Sequence, residues 1–281
     1  MRRAVPLAEA GYTIVETMIF LIVTGALMAS AALLFSGKIS RSQFTVGVRQ
    51  FNSTINNTIN DVSTGTYNAS PYFSCTSGGV GSPNLLKQAA DTQGSNTGCI
   101  FVGKVLHPGY DCSSDDLSKC TTINTYTAVA NRQASGSDAT DLFSSKPILA
   151  DSSDPDKVDL TDHQTLPNGL FVTAIFGING SGQQQTYGAI GIFQTFPQAS
   201  GGNLQSGAQH VQVIPLDPVG YPAAQTDIDR AVTSVGNDQV DVSGGVVICL
   251  SGGGKASITI GLDNSNLTTN VNIGDSRCRD I

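Results

Sequence analysis

The chain has 281 residues and a formal net charge of −7, and only 13% of its side chains are charged. This acidic balance argues against broad binding of nucleic-acid phosphates, which needs clustered Lys and Arg, although Arg277 and Arg279 could form a local basic patch. The 31 glycines and the many Ser, Thr, Asn and Gln residues are typical of a secreted, β-rich protein and argue against a cytosolic helical enzyme.

A long uncharged stretch follows the N-terminus. Residues 1–11 carry Arg2 and Arg3, a basic flank typical of the cytoplasmic side of a membrane. The next 21 residues, 17–37, carry no formal charge. As a helix they would cover roughly 31 Å, enough to cross a hydrocarbon core. The sequence therefore predicts a transmembrane helix at about 17–37, and a single-pass protein of the cytoplasmic (inner) membrane with its head outside the cytoplasm.

The helical pattern continues beyond this stretch but becomes amphipathic. Apolar residues recur at intervals of three and four, which is one face of a helix: Phe44, Val48, Phe51, Ile55, Ile59 and Val62. Thr64 and Gly65 are a helix stop. We expect one continuous helix from Tyr12 to about Ser63, with its second half packed on a globular head.

The order of residues at the start of this helix resembles a known family. Gly11 precedes the apolar run and is directly followed by Tyr12. Glu16 is the fifth residue after the glycine. The motif GYTIVE before a long apolar helix resembles the N-terminal signature of type IV pilins and type II secretion pseudopilins. The resemblance implies a prepilin leader at 1–11, cleavage between Gly11 and Tyr12, N-methylation of Tyr12, and a mature helix over 12–65.

Glu16 is the candidate assembly residue. A lone carboxylate at the start of an apolar helix is costly unless it finds a partner. We expect that partner to be the N-terminal amine of a neighbouring subunit, since a buried ion pair is favourable only when both charges are satisfied. The alternative is a carboxylate that extends to water beside a membrane.

Two other ways of processing the N-terminus stay open. Ala29-Ser30-Ala31 resembles a signal-peptidase site after an apolar run, and cleavage there would release a secreted protein that starts at Ala32. The apolar helix could also be an uncleaved anchor.

The six cysteines form an even set without a CxxC pair, which favours disulfides in an oxidising compartment: Cys75, Cys99, Cys112, Cys120, Cys249 and Cys278. Six cysteines allow 15 pairings. Proximity in sequence favours Cys75–Cys99, Cys112–Cys120 and Cys249–Cys278, the last most strongly because both cysteines lie in a strand-rich tail.

The rest of the chain, 66–281, is predicted as a β-rich head. We expect 66–166 to be an irregular insertion with strands at 99–106 and 121–130. In the tail, the predicted elements are a hairpin of 168–178 with 186–196, an edge strand at 210–215, a helix at 224–235, a hairpin of 245–250 with 256–262, and a strand at 267–273. The predicted fold class is thus α+β: a long N-terminal helix, membrane-spanning and then amphipathic, on a disulfide-stapled, pilin-like head.

No catalytic or cofactor site is predicted. The acidic loop with Asp151, Asp154, Asp156 and Asp159 lacks EF-hand spacing and is interpreted as solvated rather than as a calcium site. The histidines His107, His163 and His210 are scattered and show no metal-binding spacing. The glycine-rich stretch 251–255 departs from the phosphate-loop pattern at Cys249 and Ala256 and is predicted to be a hairpin turn.

The resemblance implies a non-enzymatic structural subunit, a minor pilin or pseudopilin of a type IV pilus or type II secretion filament. The implied partners are other pilin subunits, the prepilin peptidase, an inner-membrane assembly platform and the cytoplasmic membrane, with no nucleic acid expected. After assembly the subunit would lie in a cell-surface filament. The alternative is a tip adhesin or DNA-uptake subunit that makes contact through residues 66–166.

Overall fold

The structure is a computed structural model. It describes residues 13–67, 73–76, 81–87, 98–110, 112, 116–134, 137–139, 141–151, 156–194, 211–217, 220–235, 244–263 and 266–278; within these, the side chains of 31–39, 134, 137, 138, 262, 263 and 266 are not described. The chain divides into two compact units, a first unit of residues 1–43 and a main unit of residues 44–281.

The helix α1 (Ile14–Thr64) has 51 residues. It begins after Thr13, whose hydroxyl accepts a hydrogen bond from the Glu16 N–H at 3.3 Å. It ends at Gly65, which has a φ of +69°. The Thr66 N–H bonds to the Asp61 carbonyl and the Gly65 N–H to the Val62 carbonyl, a Schellman motif that satisfies the last turn. The predicted stop at Thr64 and Gly65 is confirmed.

Within the described residues the strands are β1 (Phe73–Thr76), β2 (Asn84–Lys87), β3 (Cys99–Pro108), β4 (Thr122–Asn131), β5 (Gln133–Ala134), β6 (Ser137–Asp138), β7 (Ile148–Leu149), β8 (Asp162–Thr165), β9 (Phe171–Ile178), β10 (Gln184–Thr186), β11 (Ala189–Gln194), β12 (Val211–Leu216), β13 (Val246–Ser251), β14 (Lys255–Asp263) and β15 (Asn266–Ile273). A second helix, α2 (Gln225–Thr233), lies between β12 and β13.

Two antiparallel sheets make up most of the main unit. One has the order β12-β11-β3-β4-β7, with β8 also paired to β4, and the other has the order β10-β9-β13-β14-β15. The strands β3 and β4, from the region expected to be an irregular insertion, are therefore inner strands of the larger sheet. The predicted edge strand, helix α2, hairpin β13–β14 and strand β15 all appear close to their expected positions.

One predicted hairpin is wrong. The strand β9 pairs with the short β10, whereas β11 belongs to the other sheet and pairs with β3 and β12. The physical reason is visible in β11, which is buried at five consecutive positions. Such a run is typical of a strand covered on both faces, and it needs inner neighbours rather than a place beside β9 at the end of a hairpin.

The main core includes the second part of α1. The six residues of the predicted apolar stripe are all buried and share one hydrophobic cluster with both large sheets, for example with Leu106 and Ile192 of one and Ile258 of the other. Polar contacts accompany this packing: Lys104 Nζ lies 2.6 Å from Asp61 Oδ2, and Asn56 Nδ2 donates to Thr269 Oγ1 at 2.9 Å. Burial of the stripe is thus as the periodicity predicts.

The opposite face of the larger sheet forms a second core with α2. Because side chains alternate along a strand, Leu106 of β3 faces the main core while Val105 faces the second one. Ile228 and Val232 of α2 pack into this second core. The larger sheet is therefore buried on both faces. The N-terminal end of α2 lies near the ends of β4 and β8.

Three disulfides link Cys75 to Cys99, Cys112 to Cys120, and Cys249 to Cys278. The pairing favoured by proximity is confirmed. The first disulfide joins β1 to β3, and the last joins β13 to the C-terminal turn, so two of the three bonds fix the ends of the chain's β-rich part.

The predicted fold class is corrected in two respects. Strands dominate the structure, and the division between the two compact units falls within α1, at residues 43 and 44, so only the second part of the helix belongs to the same unit as the head. Among the described residues, no helix has the length and apolar character needed to cross a membrane. The transmembrane helix at 17–37 and the single-pass location in the inner membrane are therefore not supported. That prediction depended on an uncharged length, which helices packed among other helices share with helices in lipid.

Candidate functional site

The first unit presents an apolar helical surface, which we name the apolar segment and define as residues 14–28. Its large apolar side chains are more than half exposed: Ile14, Val15, Met18, Ile19, Phe20, Leu21, Ile22, Val23, Leu27 and Met28. Since residues 18–23 are consecutive, these side chains surround the helix rather than forming one stripe. An exposed apolar surface of this extent is typical of an interaction site.

Glu16 carries the formal charge in this segment and lies in the first helical turn. A carboxylate there is favoured by the helix dipole, and Thr13-x-x-Glu16 has the spacing of a capping box. The sequence interpretation gave Glu16 no role within its own chain and overlooked this spacing. In the structure the Glu16 backbone N–H donates to the Thr13 hydroxyl, and the Glu16 residue is exposed to solvent.

Several predicted site residues lie outside the part of the chain that the structure describes. Gly11 and Tyr12, the proposed cleavage and methylation positions, lie outside the described residues, as do Asp154 of the acidic loop and His210. In the part of the chain that the structure describes, no three His, Cys, Asp or Glu side chains come together in a way that could hold a metal ion.

A second candidate site lies in the main unit. A cavity of about 650 Å³ opens beside β4 and β8, near the start of α2. Its wall combines aromatic, amide and charged side chains, chiefly Tyr110, Tyr126, Asn124, His163, Asp151 and Asp229. We name this the acidic cavity, because Asp151, Asp159 and Asp229 line it against one lysine, Lys157.

A buried chain of hydrogen bonds leads from this cavity into the core. His107 is fully buried, and its Nε2 lies 3.0 Å from the carbonyl of Ala223. Since a carbonyl only accepts, Nε2 carries the proton and Nδ1 accepts from the Tyr126 hydroxyl at 3.2 Å. The Tyr126 oxygen in turn accepts from Asn124 Nδ2 at 3.0 Å. Asn124 Oδ1 then accepts from His163 Nδ1 at 2.6 Å. The bond to the Ala223 carbonyl at one end therefore fixes the donor and acceptor in every hydrogen bond of the series.

Two members of this network, His107 and Tyr126, are uncharged at neutral pH. Burial lowers the pKa of His107 to about 4, against a smaller opposing effect of its bond to the Ala223 carbonyl. Burial likewise raises the pKa of Tyr126 to about 12, and the charges of Asp151 and Asp229 add to the increase. The buried side chains of His107 and Tyr126 are therefore neutral and oriented, and Tyr126 lies in the wall of the acidic cavity together with two carboxyl groups.

The two carboxyl groups of Asp151 and Asp229 lie against each other. Burial, and next the charge of Asp151, raise the pKa of Asp229 to about 7. Asp229 Oδ1 is shielded from solvent and has no hydrogen-bond partner among the described groups. Asp151 Oδ2 accepts from Gln225 Nε2 at 2.6 Å. Two facing acceptors need a proton or a cation between them.

Sequence reasoning missed the acidic cavity. It considered Asp151 only as part of a loop and His107 and His163 only as isolated histidines, and it did not single out Tyr126 or Asp229. These residues are brought together by the pairing of β4 with β8 and by the packing of α2, neither of which leaves a local signal in the sequence.

Comparison of the chain with protein families, with characterised proteins and with solved structures finds no match. Three features of the chain itself bear on its function: the apolar segment, the N-terminal motif and the acidic cavity.

Proposed function

We propose that the protein is a non-enzymatic structural subunit of a filament of the type IV pilin or pseudopilin kind, assembled through the apolar segment of α1. The observation that carries the proposal is the exposure of apolar side chains around the whole circumference of residues 14–28. The resemblance of GYTIVE to the pilin signature supports it, and implies processing between Gly11 and Tyr12.

The distribution of apolar side chains favours a filament over a dimer. A single partner helix covers one stripe of a helix, and an apolar stripe is what a dimer needs. In the apolar segment, Phe20, Leu21 and Ile22 point in three different directions, and each is about two-thirds exposed. Covering all of them requires neighbours on several sides, as in the helical core of a filament where each subunit is surrounded by others.

Glu16 is the polar group that sets the position of one subunit against the next in this proposal. Its partner is the free amine at Tyr12 of the neighbouring subunit, exposed by the peptidase. A carboxylate inside an apolar helical core without that amine would be an orphan charge, which costs several kcal/mol. The ion pair therefore favours one axial stagger between helices over the others.

The test compares incorporation into filaments for three variants of the full chain expressed with the other subunits. Glu16→Gln removes the charge, Leu21→Asn places an amide on the apolar surface, and Thr13→Ala removes the helix cap but neither charge nor apolar area. We expect Glu16→Gln and Leu21→Asn to lower incorporation by about tenfold or more, since each loses at least ~1.4 kcal/mol per contact. Thr13→Ala should stay within about twofold of the unmodified chain.

Equal incorporation of Glu16→Gln and the unmodified chain would contradict the pairing, and equal losses for Glu16→Gln and Thr13→Ala would reduce Glu16 to a helix cap. N-terminal sequencing of the mature protein is the independent check. The proposal expects Tyr12 as the first residue, whereas a start at Ala32 would remove the apolar segment and end the proposal.

A further inference from the structure

We propose that the acidic cavity binds a small cationic amine, with its ammonium group held by the carboxyl groups of Asp151 and Asp229 and its carbon chain against Tyr110. This binding site belongs to the main unit and does not depend on filament assembly through α1.

The size of the cavity suits a small molecule. Ligand pockets in proteins commonly have volumes of about 300–1,000 Å³ and combine apolar walls with a few polar groups. The acidic cavity, at about 650 Å³, has apolar walls from Leu85, Ile148 and Val158 in addition to its polar groups.

The charges that face the cavity select a cation. Asp151 comes from the segment after β7, Asp159 from the segment before β8, and Asp229 from α2, while Lys157 is the lysine in the wall. Among the described lining residues, aspartates therefore outnumber lysine, and the cavity is acidic. The other titratable groups are His163 on β8, Tyr110 in the turn after β3 and Tyr126 on β4.

The carboxyl groups of Asp151 and Asp229 place hydrogen-bond acceptors in the cavity. The Tyr126 hydroxyl donates to His107, and one N–H of the Asn124 amide donates to Tyr126. One N–H of the Gln225 amide donates to Asp151. Asp229 Oδ1 has no partner among the described groups. A ligand that binds between the two carboxyl groups must therefore bring donors. An ammonium group brings three donors and a positive charge that balances the carboxylates.

An organic cation fits better than a metal ion. No three metal-ligating side chains come together within the described residues, whereas an ammonium is satisfied by two carboxylates and a ring. The Tyr110 ring is 38% exposed, and its centroid lies 5.7 Å from that of His163. This rim of rings offers an aromatic face to the cation and its methylene groups.

The experiment uses isothermal titration calorimetry on the full chain with 1,4-diaminobutane and, as its neutral isostere, 1,4-butanediol. We expect the diamine to bind at pH 8 and the diol to bind at least about tenfold more weakly. Asp229→Asn should weaken diamine binding by about tenfold or more. The matched control is Asp227→Asn, which makes the same charge change on the same helix but removes a carboxylate that pairs outside the cavity with Arg230 at 2.9 Å; its affinity should stay within about twofold.

Two further readouts keep the result decisive. Thermal unfolding of each variant shows whether it is folded. If Asp229→Asn perturbs folding, Asp151→Asn is the second test, and it should show the same loss of affinity. Diamine affinity should also fall as the pH drops through about 7, the pKa of Asp229, because protonation of Asp229 removes one of the charges that hold the cation. Equal binding of the diol and the diamine, retained affinity in both cavity variants, or the absence of diamine binding up to about 10 mM would overturn the proposal.

Discussion

Two parts of the same helix carry similar apolar side chains in opposite surroundings. In the apolar segment, Phe20 is 68% exposed, whereas Phe51 in the second part is 2% exposed. The second part, residues 44–62, is mostly polar between its stripe residues and buries the stripe in the main core. The difference shows that the periodicity of apolar residues, rather than their number, decides whether a helix is covered by its own chain.

The two parts therefore contribute to different free energies. The stripe of residues 44–62 contributes to the folding of the main unit, since its contacts exist within one chain. The apolar segment leaves its surface uncovered in the single chain, so its contribution can only appear on association. This contrast can be tested by making the same substitution in both parts.

The largest difference is expected for phenylalanine truncation. Phe51→Ala should lower the free energy of unfolding by about 3–5 kcal/mol, because it leaves a cavity in the main core. Phe20→Ala should change the same quantity by less than about 0.5 kcal/mol, because its ring is already in solvent. Urea denaturation followed by tyrosine emission measures both, as the chain has no tryptophan. Comparable losses in the two variants would show that the apolar segment is part of the folded core.

A smaller effect is expected from the ion pair at the end of the stripe. Lys104 of β3 is mostly buried and lies 2.6 Å from Asp61 of α1, so Lys104→Met should cost about 1–2 kcal/mol of unfolding free energy. The control is Lys119→Met, which removes an exposed pair with Asp116 at 3.2 Å and should leave the free energy of unfolding nearly unchanged, because solvent screens the pair. If both variants lose the same amount, the contact between α1 and β3 adds nothing beyond a surface ion pair.

The elements predicted well are those with local signals. The second part of α1 follows from its apolar periodicity and its C-terminal end from Gly65. The hairpin of β13 with β14 follows from a glycine-rich turn between apolar runs, and the cysteine pairs follow from short separations. Each signal lies within a few tens of residues, which is the distance over which loop closure favours contacts.

The elements predicted poorly depend on contacts between distant residues. The partners of β11 are β3 and β12, so the inner position of β3 requires residues 99–108 to meet residues 189–194. The inner position of β4 requires its pairing with β7 and β8. The acidic cavity likewise needs Asn124, His163 and Asp229 in one place. A side chain's neighbours across a sheet or helix leave no pattern along the sequence, so these arrangements cannot be read from composition or periodicity.

The smallest expected difference is between two glycines of α1. Gly65 ends the helix with a φ of +69°, and a Cβ there would meet only Gln194 Nε2 at 3.7 Å, an ordinary contact. Gly65→Ala should therefore cost about 1 kcal/mol of unfolding free energy through backbone strain alone. Gly25 has helical geometry and open space around it, so Gly25→Ala removes a poor helix former and should leave the main unit's unfolding unchanged within about 0.5 kcal/mol. If Gly25→Ala instead weakens filament incorporation while its unfolding is unchanged, then neighbouring helices approach α1 closely at that glycine. Binding of the apolar segment to its partners would then depend on its shape as well as on its hydrophobicity.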